Sequence, residues 1–491
     1  MKQVVFFIFL SCACKLQAQD STCNRLYDFK YRYDGVFDII PTLDHNLIIL
    51  GETDDIVTGV DSFLLLKVNY RGDTLWQKTN IIAGSLSSGY TSGVELGDSA
   101  IYALGNYFDT ILNDYSISLT KYNNTGDTIW NKKYFDSLRT IGEKLIATDD
   151  SGYLIVGYSG DSINDDGYIK KIDSMGTVQW KKYFGTYHYG DYFESACKIN
   201  DGYIIAGRTY SYGNNCQGWL LKTDLNGDSI WQRTYGSSNF DEFFDLIATP
   251  DGGCIVCGVS EDPLTCNALI MKVSGSGQTE WSHNYGYLDY DCQTFTKIVS
   301  VPSGGYLATG SYKIYNDDQI YGLLWRLAEN GDTLWTRKYS HYGLPNEQDY
   351  FWGLAVPEPN VYAMCGYIIY NPYPTKNDAW LVVTDSCGND TSGMPCPFDN
   401  GVFQLSERGF QIAFSPNPAN DALNIEFAQN QFPGLLTIRL FDLFGQLLIE
   451  KTETNSVRSA LSTTNIQPGL YFIEIDNSGK PIVKQKVVIL H

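Results

Sequence analysis

The chain has 491 residues, of which 43% are hydrophobic and 14% aromatic, so it is long enough to bury large apolar cores. Its formal net charge of −21 repels polyanions, which argues against nucleic acid and anionic lipid as partners. The many aromatic residues, together with 46 Gly available for turns, favour strands over helices.

The N-terminus has the pattern of a secretory signal peptide over residues 1–18. Lys2 precedes an apolar run from Val4 to Leu10, and Ala18 offers a small residue at the cleavage point. The run is too short to span a bilayer, and no later run reaches the ~18 apolar residues that a transmembrane helix needs. We therefore expect export and no transmembrane segment.

A motif that ends in Gly-x-x-x-Trp then returns at nearly fixed spacing along most of the chain. Its tryptophans are Trp76, Trp130, Trp180, Trp231, Trp281 and Trp335. A fixed period of this size indicates one repeated supersecondary unit. The clear copy from Asp191 to Gly236 contains four strand-like segments separated by turns, which predicts one four-stranded blade of a β-propeller.

The hairpin glycines of the units number seven: Gly72, Gly126, Gly176, Gly227, Gly277, Gly331 and Gly388. The seventh unit lacks a fourth strand, whereas residues 27–35 resemble the fourth strands of the other units. We therefore predict a seven-bladed β-propeller over residues 19–396, closed by the N-terminus in blade seven so that no sheet edge is left exposed.

The tryptophan that starts each fourth strand is expected to dock its ring against the neighbouring blade. This placement resembles the docking tryptophan of quinoprotein propeller repeats. The units also resemble the generic propeller repeats of secreted Bacteroidota proteins. Neither resemblance implies a ligand or a reaction for this chain.

Ten cysteines remain after the signal peptide, an even number that is typical of disulfides in an exported chain. Cys387 and Cys396 flank a short polar loop and form the best local pair. Cys23, just upstream of the predicted closing strand, is a candidate to staple the ring. Cys254 and Cys257 have the spacing of metal ligands, but they sit in an apolar strand, which favours buried thiols or structural disulfides.

From about Gln411 the period stops, and we predict a linker over residues 397–411 followed by a small Ig-like β-sandwich over residues 412–491. Ordered motifs there resemble the type A sorting domain of the type IX secretion system: Ser-Pro-Asn-Pro-Ala, Asp-Leu-Phe-Gly-Gln, Gln-Pro-Gly-Leu-Tyr-Phe-Ile and a final Lys-x-Lys-Val-Val-Ile. The residues that carry the resemblance are Pro416, Asn417, Pro418, Asp442, Gly445, Gly469, Tyr471 and Lys486.

The resemblance implies a Bacteroidota source and export to the periplasm, followed by passage across the outer membrane by the type IX machinery. It implies a final location that is secreted or attached to the cell surface. An adhesive or carbohydrate-binding sandwich is the alternative for this domain, but its few aromatic residues mostly alternate as core.

No hydrolase, metalloprotease or nucleotide-binding motif occurs in the sequence, and the five His are scattered. We therefore predict no cofactor. One acidic loop, with Asp161, Asn164, Asp165 and Asp166, offers oxygens to Ca²⁺, although the same composition suits an ordinary polar loop.

Alignment of the blades on their second-strand glycines places polar residues at one level of the first strands, which line the channel of a propeller. The charged members of this predicted ring are Asp38, Lys144, Glu194, Asp245 and Lys297. Three carboxyls against two lysines favour a cation or a hydroxyl-rich ligand over an anion. A solvated channel in which these residues form ion pairs with one another explains the same pattern. An alignment error of one residue would turn the side chains away from one another, because side chains alternate along a strand.

We interpret the chain as an exported propeller scaffold that binds a glycan or protein ligand, more in keeping with a binding protein than an enzyme. One alternative is a secreted glycan-degrading hydrolase or lyase, which should place paired carboxylates or a His cluster on one propeller face. Another alternative is a Ca²⁺-dependent adhesin.

Overall fold

The structure is a computed structural model. It describes residues 22–29, 33–54, 60–81, 85–97, 99–136, 138–161, 164–186, 190–212, 215–236, 239–261, 266–286, 292–313, 319–341, 347–370, 376–390, 402–405, 411–415, 422–427, 435–442, 446–454, 458–464, 466–467, 469–477 and 480–489. Every regular element within these residues is a β-strand, so the fold is all-β as predicted. The predicted signal peptide lies outside the described residues.

The N-terminal part of the fold is a seven-bladed β-propeller, and its first six blades each use four consecutive antiparallel strands. These strands are β2 (Asp34–Pro41), β3 (Leu47–Asp54), β4 (Asp61–Val68) and β5 (Thr74–Asn80) in blade 1; β6 (Ser85–Glu95), β7 (Ile101–Asp109), β8 (Asp114–Tyr122) and β9 (Thr128–Tyr134) in blade 2; β10 (Arg139–Ala147), β11 (Tyr153–Gly160), β12 (Asp165–Ile172) and β13 (Val178–Phe184) in blade 3; β14 (Asp191–Ile199), β15 (Gly202–Thr209), β16 (Gln217–Asp224) and β17 (Ser229–Tyr235) in blade 4; β18 (Asp241–Ala248), β19 (Cys254–Glu261), β20 (Cys266–Val273) and β21 (Thr279–Tyr285) in blade 5; and β22 (Cys292–Ser300), β23 (Tyr306–Lys313), β24 (Ile320–Leu327) and β25 (Thr333–Tyr339) in blade 6.

Blade 7 combines both ends of the propeller. It consists of β26 (Gln348–Glu358), β27 (Val361–Tyr370), β28 (Lys376–Asp385) and the N-terminal strand β1 (Cys23–Tyr27). The first and last residues of β1, Cys23 and Tyr27, lie opposite Val383 and Ala379 of β28 in an antiparallel pair. The closing strand therefore ends at Tyr27, where the segment that the sequence pattern indicated, residues 27–35, begins.

The position of β1 has a simple reason in the repeat. Cys23 opposite Val383 occupies the place that Trp335 has in blade 6, and Tyr27 occupies the place of Tyr339. Because a cysteine replaces the marker tryptophan, the motif does not reveal the strand. Cys23 is a buried free thiol, so the idea that it staples the ring through a disulfide is wrong.

Each docking tryptophan packs against the hairpin glycine of the next blade. A Cβ added at Gly227, for example, would lie 2.6 Å from the ring of Trp180, and the φ angle of Gly227 is 76°. The pairs are Trp76–Gly126, Trp130–Gly176, Trp180–Gly227, Trp231–Gly277, Trp281–Gly331 and Trp335–Gly388. Gly and Trp therefore recur together in the motif. The tryptophan ring of one blade packs so closely on the hairpin of the next blade that a residue without a side chain is needed there.

A tyrosine four residues after the tryptophan position ties the same hairpin. The hydroxyl of Tyr285, for example, donates a 2.6 Å hydrogen bond to the carbonyl oxygen of Gly331 in the next blade. The same bond is made by Tyr27, Tyr134, Tyr235 and Tyr339. The apolar cores lie between neighbouring blades, and one of them joins Val36 of blade 1 to Leu381 of blade 7.

The C-terminal part is a small β domain of two four-stranded sheets. The first sheet has the order β29 (Val402–Leu405), β30 (Gln411–Ser415), β31 (Ala422–Phe427) and β34 (Arg458–Ser462); the second has the order β33 (Leu447–Thr454), β32 (Leu435–Phe441), β35 (Gly469–Asn477) and β36 (Lys480–Ile489). Both sheets contribute to one core, for example Leu423 from the first and Ile438 from the second. This agrees with the predicted sandwich, except that β29 falls within the predicted linker because a four-residue strand is too short to show alternation.

Candidate functional site

The first strand of each blade carries a β-bulge at the same place. The seven bulged residues are Phe37, Thr91, Glu143, Glu194, Phe244, Thr296 and Trp352. A bulge leaves one residue outside the strand pairing and re-aims its side chain. All seven bulged residues line one pocket of about 430 Å³, which we call the axial pocket because every blade contributes to it.

The next residue along each first strand forms the level beneath the axial pocket. This level, which we call the floor, consists of Asp38, Ser92, Lys144, Ser195, Asp245, Lys297 and Gly353. Four charged members of the predicted ring are therefore at one level, but Glu194 is not. Ser195 takes its place. The turn between Ile199 and Gly202 is one residue shorter than the same turn in the other complete blades. An alignment of the blades on Gly207 therefore places the first strand of blade 4 one residue out of register.

The floor balances its own charge with two aspartates and two lysines. Lys297 Nζ lies 3.7 Å from Asp38, and the hydroxyl of Ser195 donates a 2.6 Å hydrogen bond to Asp245. Burial alone would raise the pKa of Asp38, but the charges of Lys297 and Lys144 outweigh burial and hold that pKa below its usual value. The floor therefore ties the blades together inside the channel and leaves no net charge for a ligand.

Glu143 and Glu194 form a carboxyl pair on neighbouring blades in the axial pocket. Burial, and then repulsion by Glu194, raise the pKa of Glu143 to about 8 against the opposing charge of Arg208. Burial also raises the pKa of Glu194, whose Oε1 lies 3.4 Å from Arg208 Nη1. Arg208 is shared with Glu242, so it does not fully neutralise the pair. Such a pair retains a proton near neutral pH.

Aromatic rings of three bulged residues form part of the wall of the axial pocket. Phe37, Phe244 and Trp352 come from blades 1, 5 and 7. In a ring of seven blades, blade 7 lies directly across from the boundary between blades 3 and 4. Trp352 therefore lies across the axis from Glu143 and Glu194, which places an aromatic ring opposite this carboxyl pair.

A third carboxyl, that of Glu52, also lines the axial pocket. Its pKa is raised to about 7 by burial and by the charges of Asp61 and Asp54. Lys297 is the one positively charged residue among the described lining residues, and it is paired with Asp38 of the floor. The pocket therefore suits hydroxyl groups or a cation and disfavours an anion. The sequence alone did not indicate Glu143, Glu52 or the aromatic wall, although the first-strand alignment came within one residue of most of them.

The predicted calcium loop does not gather its oxygens in one place. Asp161 accepts a 2.9 Å hydrogen bond from the backbone N–H of Asn164, while the buried carboxylate of Asp165 pairs with Arg139. Burial and the charges of Asp191 and Asp165 raise the pKa of Asp166. Calcium at this loop stays a prediction.

Another acidic group lies at the closure of the ring. Carboxylate oxygens of Asp28, Asp34 and Asp378 lie within 4.8 Å of one another. The Asp34 carboxylate accepts hydrogen bonds from the Thr53 hydroxyl at 2.5 Å and from the backbone N–H of Phe29 at 3.1 Å. These contacts tie the start of blade 1 to the segment that follows β1.

The cysteines divide into disulfides and buried thiols. Cys266 and Cys292 form a disulfide that joins the third strand of blade 5 to the first strand of blade 6, a pairing that no sequence pattern indicated. Cys387 is disulfide-bonded, and its predicted partner Cys396 lies outside the described residues. Cys254 and Cys257 are buried free thiols, one of the two outcomes expected for them.

The described residues of the sorting motif lie at one turn and in two neighbouring strands of the second sheet. Asp442 accepts a 2.8 Å hydrogen bond from the N–H of Gln446, and the Tyr471 hydroxyl donates a 2.6 Å bond to the carbonyl oxygen of Gln467. Gly469 starts β35, and Lys486 lies in β36. The others, Pro416, Asn417, Pro418 and Gly445, lie outside the described residues.

Across the described part of the chain, no helix is present that has the length and apolar character to cross a membrane.

Comparison with curated proteins finds no match to the sequence. Similar solved structures include a protein of unknown function from Dyadobacter fermentans, which is 11% identical with a TM-score of 0.40, over 75% of this chain and 98% of that one. Another is the β-propeller domain of the Trilobed protease from Pyrococcus furiosus, which is 10% identical with a TM-score of 0.42, over 74% of this chain and 99% of that one.

The C-terminal domain has a family match. Residues 414–490 match the model of the secretion system C-terminal sorting domain. The match covers the two-sheet domain from the end of β30 onward, together with the motifs described above. The chain therefore carries a type IX secretion sorting domain at its C-terminus, and the protein is secreted or attached to the cell surface.

Proposed function

We propose that the exported propeller is a binding protein whose axial pocket holds a small hydroxyl-rich or cationic ligand. The observation that carries this proposal is the convergence of all seven bulged residues, one from each blade, on one pocket of about 430 Å³. Pockets of roughly 300–1,000 Å³ with apolar walls and a few polar groups are typical of small-molecule sites.

The contrast between pocket and floor supports this assignment. The floor carboxylates are satisfied, since Asp38 accepts from the backbone N–H of Gly93 at 3.0 Å and Asp245 accepts from that of Ile298 at 3.2 Å. Glu143, one level above, has no hydrogen-bond partner among the residues that the structure describes. Glu143 is half-buried and lines the pocket, so its carboxyl is available to a bound hydroxyl or cation.

The test is a ligand screen with matched variants of the full chain without its predicted signal peptide. Glycan arrays and thermal shifts with small polar ligands should identify saturable binders. Their binding should weaken at least tenfold in Glu143→Gln and in Trp352→Leu. The control Glu329→Gln changes an exposed carboxyl on a hairpin and should bind as the parent does. Equal affinity in all three variants would show that the ligand lies elsewhere.

Hydrolysis of glycans is a second candidate function, favoured by the Glu143–Glu194 pair. Glycoside hydrolysis needs two carboxyls, one of which is held protonated to act as a general acid. The raised pKa of Glu143 gives it that state near neutral pH. Release of the aryl group from a panel of aryl glycosides measures the activity, which should fall on the order of a hundredfold or more in Glu143→Gln. Saturable binding without turnover of any glycoside would reject hydrolysis and support the binding function.

A further inference from the structure

We propose that the ligand of the axial pocket is an organic ammonium cation, held between the Trp352 side of the pocket and the Glu143–Glu194 pair. This inference rests on the proposed binding function and names the chemical class of its ligand. The relevant chemistry is one ammonium group, either quaternary or protonated, on a molecule small enough for about 430 Å³.

The first step is the arrangement of aromatic and acidic residues around the axis. Trp352 and Phe37 come from the neighbouring blades 7 and 1, and they lie across from Glu143 and Glu194 of blades 3 and 4. Phe244 of blade 5 adds a third ring next to Glu194, separated from Trp352 by Thr296 of blade 6. Aromatic rings attract organic cations through their π-electrons, and this attraction grows when water is excluded. Carboxylates on the opposite side add a direct charge partner.

The second step is the charge of the lining. Glu52, Glu143 and Glu194 face one lysine, Lys297, whose charge is already matched by Asp38. Arg208 lies behind Glu194 and is shared with Glu242, so a carboxylate charge remains to be compensated. A cation supplies that compensation, whereas a neutral sugar leaves it unmet and an anion worsens it.

The third step separates organic from inorganic cations. Calcium takes six to eight oxygen ligands in a shell around the ion. Trp352, Phe37 and Phe244 offer no oxygen from their side chains, and the Thr296 hydroxyl is already engaged with the carbonyl oxygen of Phe351 at 2.8 Å. A lining that contains these three rings therefore favours an alkylammonium group over a hard metal ion.

Binding of a cation should also release a proton. The groups that face the Glu143–Glu194 pair are Arg208, Glu242 and Tyr158, and burial keeps the Tyr158 phenol neutral by raising its pKa. The pair holds a proton near neutral pH, and a cation favours the ionised form. Affinity for an ammonium ligand should therefore rise as the pH increases toward the Glu143 pKa of about 8.

The experiment is isothermal titration of the full chain without its predicted signal peptide. The probes are choline, tetramethylammonium and putrescine, and the matched neutral control is 3,3-dimethylbutan-1-ol, which has the shape of choline without its charge. Titration in two buffers of different ionisation enthalpy at neutral pH measures the protons released. At least one ammonium probe should bind tenfold more tightly than the neutral alcohol, with proton release.

Matched variants decide whether the pocket is responsible. Glu143→Gln with Glu194→Gln should remove both the tenfold preference and the proton release, and Trp352→Leu should weaken ammonium binding at least tenfold. Glu329→Gln should change neither. The double variant keeps the shape of both side chains and removes their repulsion, so it should fold, and circular dichroism verifies this.

Two kinds of failure are distinguishable. The inference is overturned if no ammonium probe binds at millimolar concentration, if the neutral alcohol binds as tightly as choline, or if the double variant keeps the preference. If a neutral sugar binds the parent protein and this binding is lost in Trp352→Leu, the proposed binding function stands and the ammonium ligand is rejected. Ligands that bind equally well to every variant would reject both.

Discussion

The sulfur of Cys23 lies against Gly72, where a Cβ added to the glycine would be 3.0 Å away, and it takes the place that a docking tryptophan has at the other blade junctions. The contact joins the first described strand of the chain to the hairpin of blade 1. The hydroxyl of Tyr27 completes this junction by donating a 2.8 Å hydrogen bond to the carbonyl oxygen of Gly72. The ring is thus closed by ordinary hydrogen bonds and packing at β1.

Deletion of residues 19–29 should open the ring. It removes β1, exposes the edge of β28 and uncovers part of the core between blades 7 and 1. We expect a lower melting temperature and aggregation, measured by thermal unfolding and size-exclusion chromatography. Deletion of residues 19–21 alone, which precede β1, is the control and should be silent. An unchanged melting temperature in the longer deletion would contradict closure through β1.

Gly227→Ala should destabilise the propeller by roughly 1–2 kcal/mol, the cost of a left-handed backbone conformation for a residue with a side chain. Its φ angle is 76°, and the new methyl group would lie 2.6 Å from Trp180. Gly97→Ala is the control, because a Cβ there meets no atom within 4 Å. Urea unfolding measures both variants. Equal midpoints would mean that the glycine contact does not limit stability.

Glu143 should make the propeller less stable as the pH rises from about 5 to 8. Its pKa is raised from 4.5 to about 8 in the folded state, so the folded protein binds more protons than the unfolded chain between these values. Stability then falls as pH increases through that window. Melting temperatures across this range should fall less steeply in Glu143→Gln than in the parent or in Glu329→Gln. Parallel curves for all three would refute the assignment.

Replacement of both Cys266 and Cys292 by Ser should cost about 3 kcal/mol, because the disulfide closes a loop between residues 26 positions apart. Denaturant unfolding with and without reductant gives the measurement. The buried free thiol Cys197, changed to Ser, serves as a comparison for the loss of sulfur alone. A double variant as stable as the oxidised parent would show that the link between blades 5 and 6 contributes little.

Removal of the C-terminal domain should prevent passage across the outer membrane without unfolding the propeller. Truncation belongs after residue 396, since β29 (Val402–Leu405) pairs with β30 and is part of the sandwich. The truncated chain should remain in the periplasm of a host with type IX secretion, as measured by cell fractionation and immunoblotting. The full chain is the control. Delivery of the truncated chain to the surface or medium would refute the sorting role.

The amino-acid sequence was sufficient for the all-β class, the count of seven blades and the C-terminal sorting domain. These features depend on local patterns: a Gly with a Trp once per blade, alternation within strands, and ordered turn motifs. Each pattern has a physical cause that recurs in every unit, such as the positive φ of Gly227 and its contact with the ring of Trp180. Features that repeat in every unit can be recognised in the sequence without knowing how the units pack together.

The tertiary structure decided the axial pocket, because its residues are brought together by register. A turn one residue shorter between Ile199 and Gly202 moved Glu194 from the predicted ring to the level of Glu143. The bulges that aim these side chains into the pocket have no sequence signature of their own. The same holds for the Cys266–Cys292 disulfide, which joins two strands that meet only once neighbouring blades pack. Strand side chains alternate, so a shift of one residue changes which groups face the axis, and only the assembled ring determines that shift.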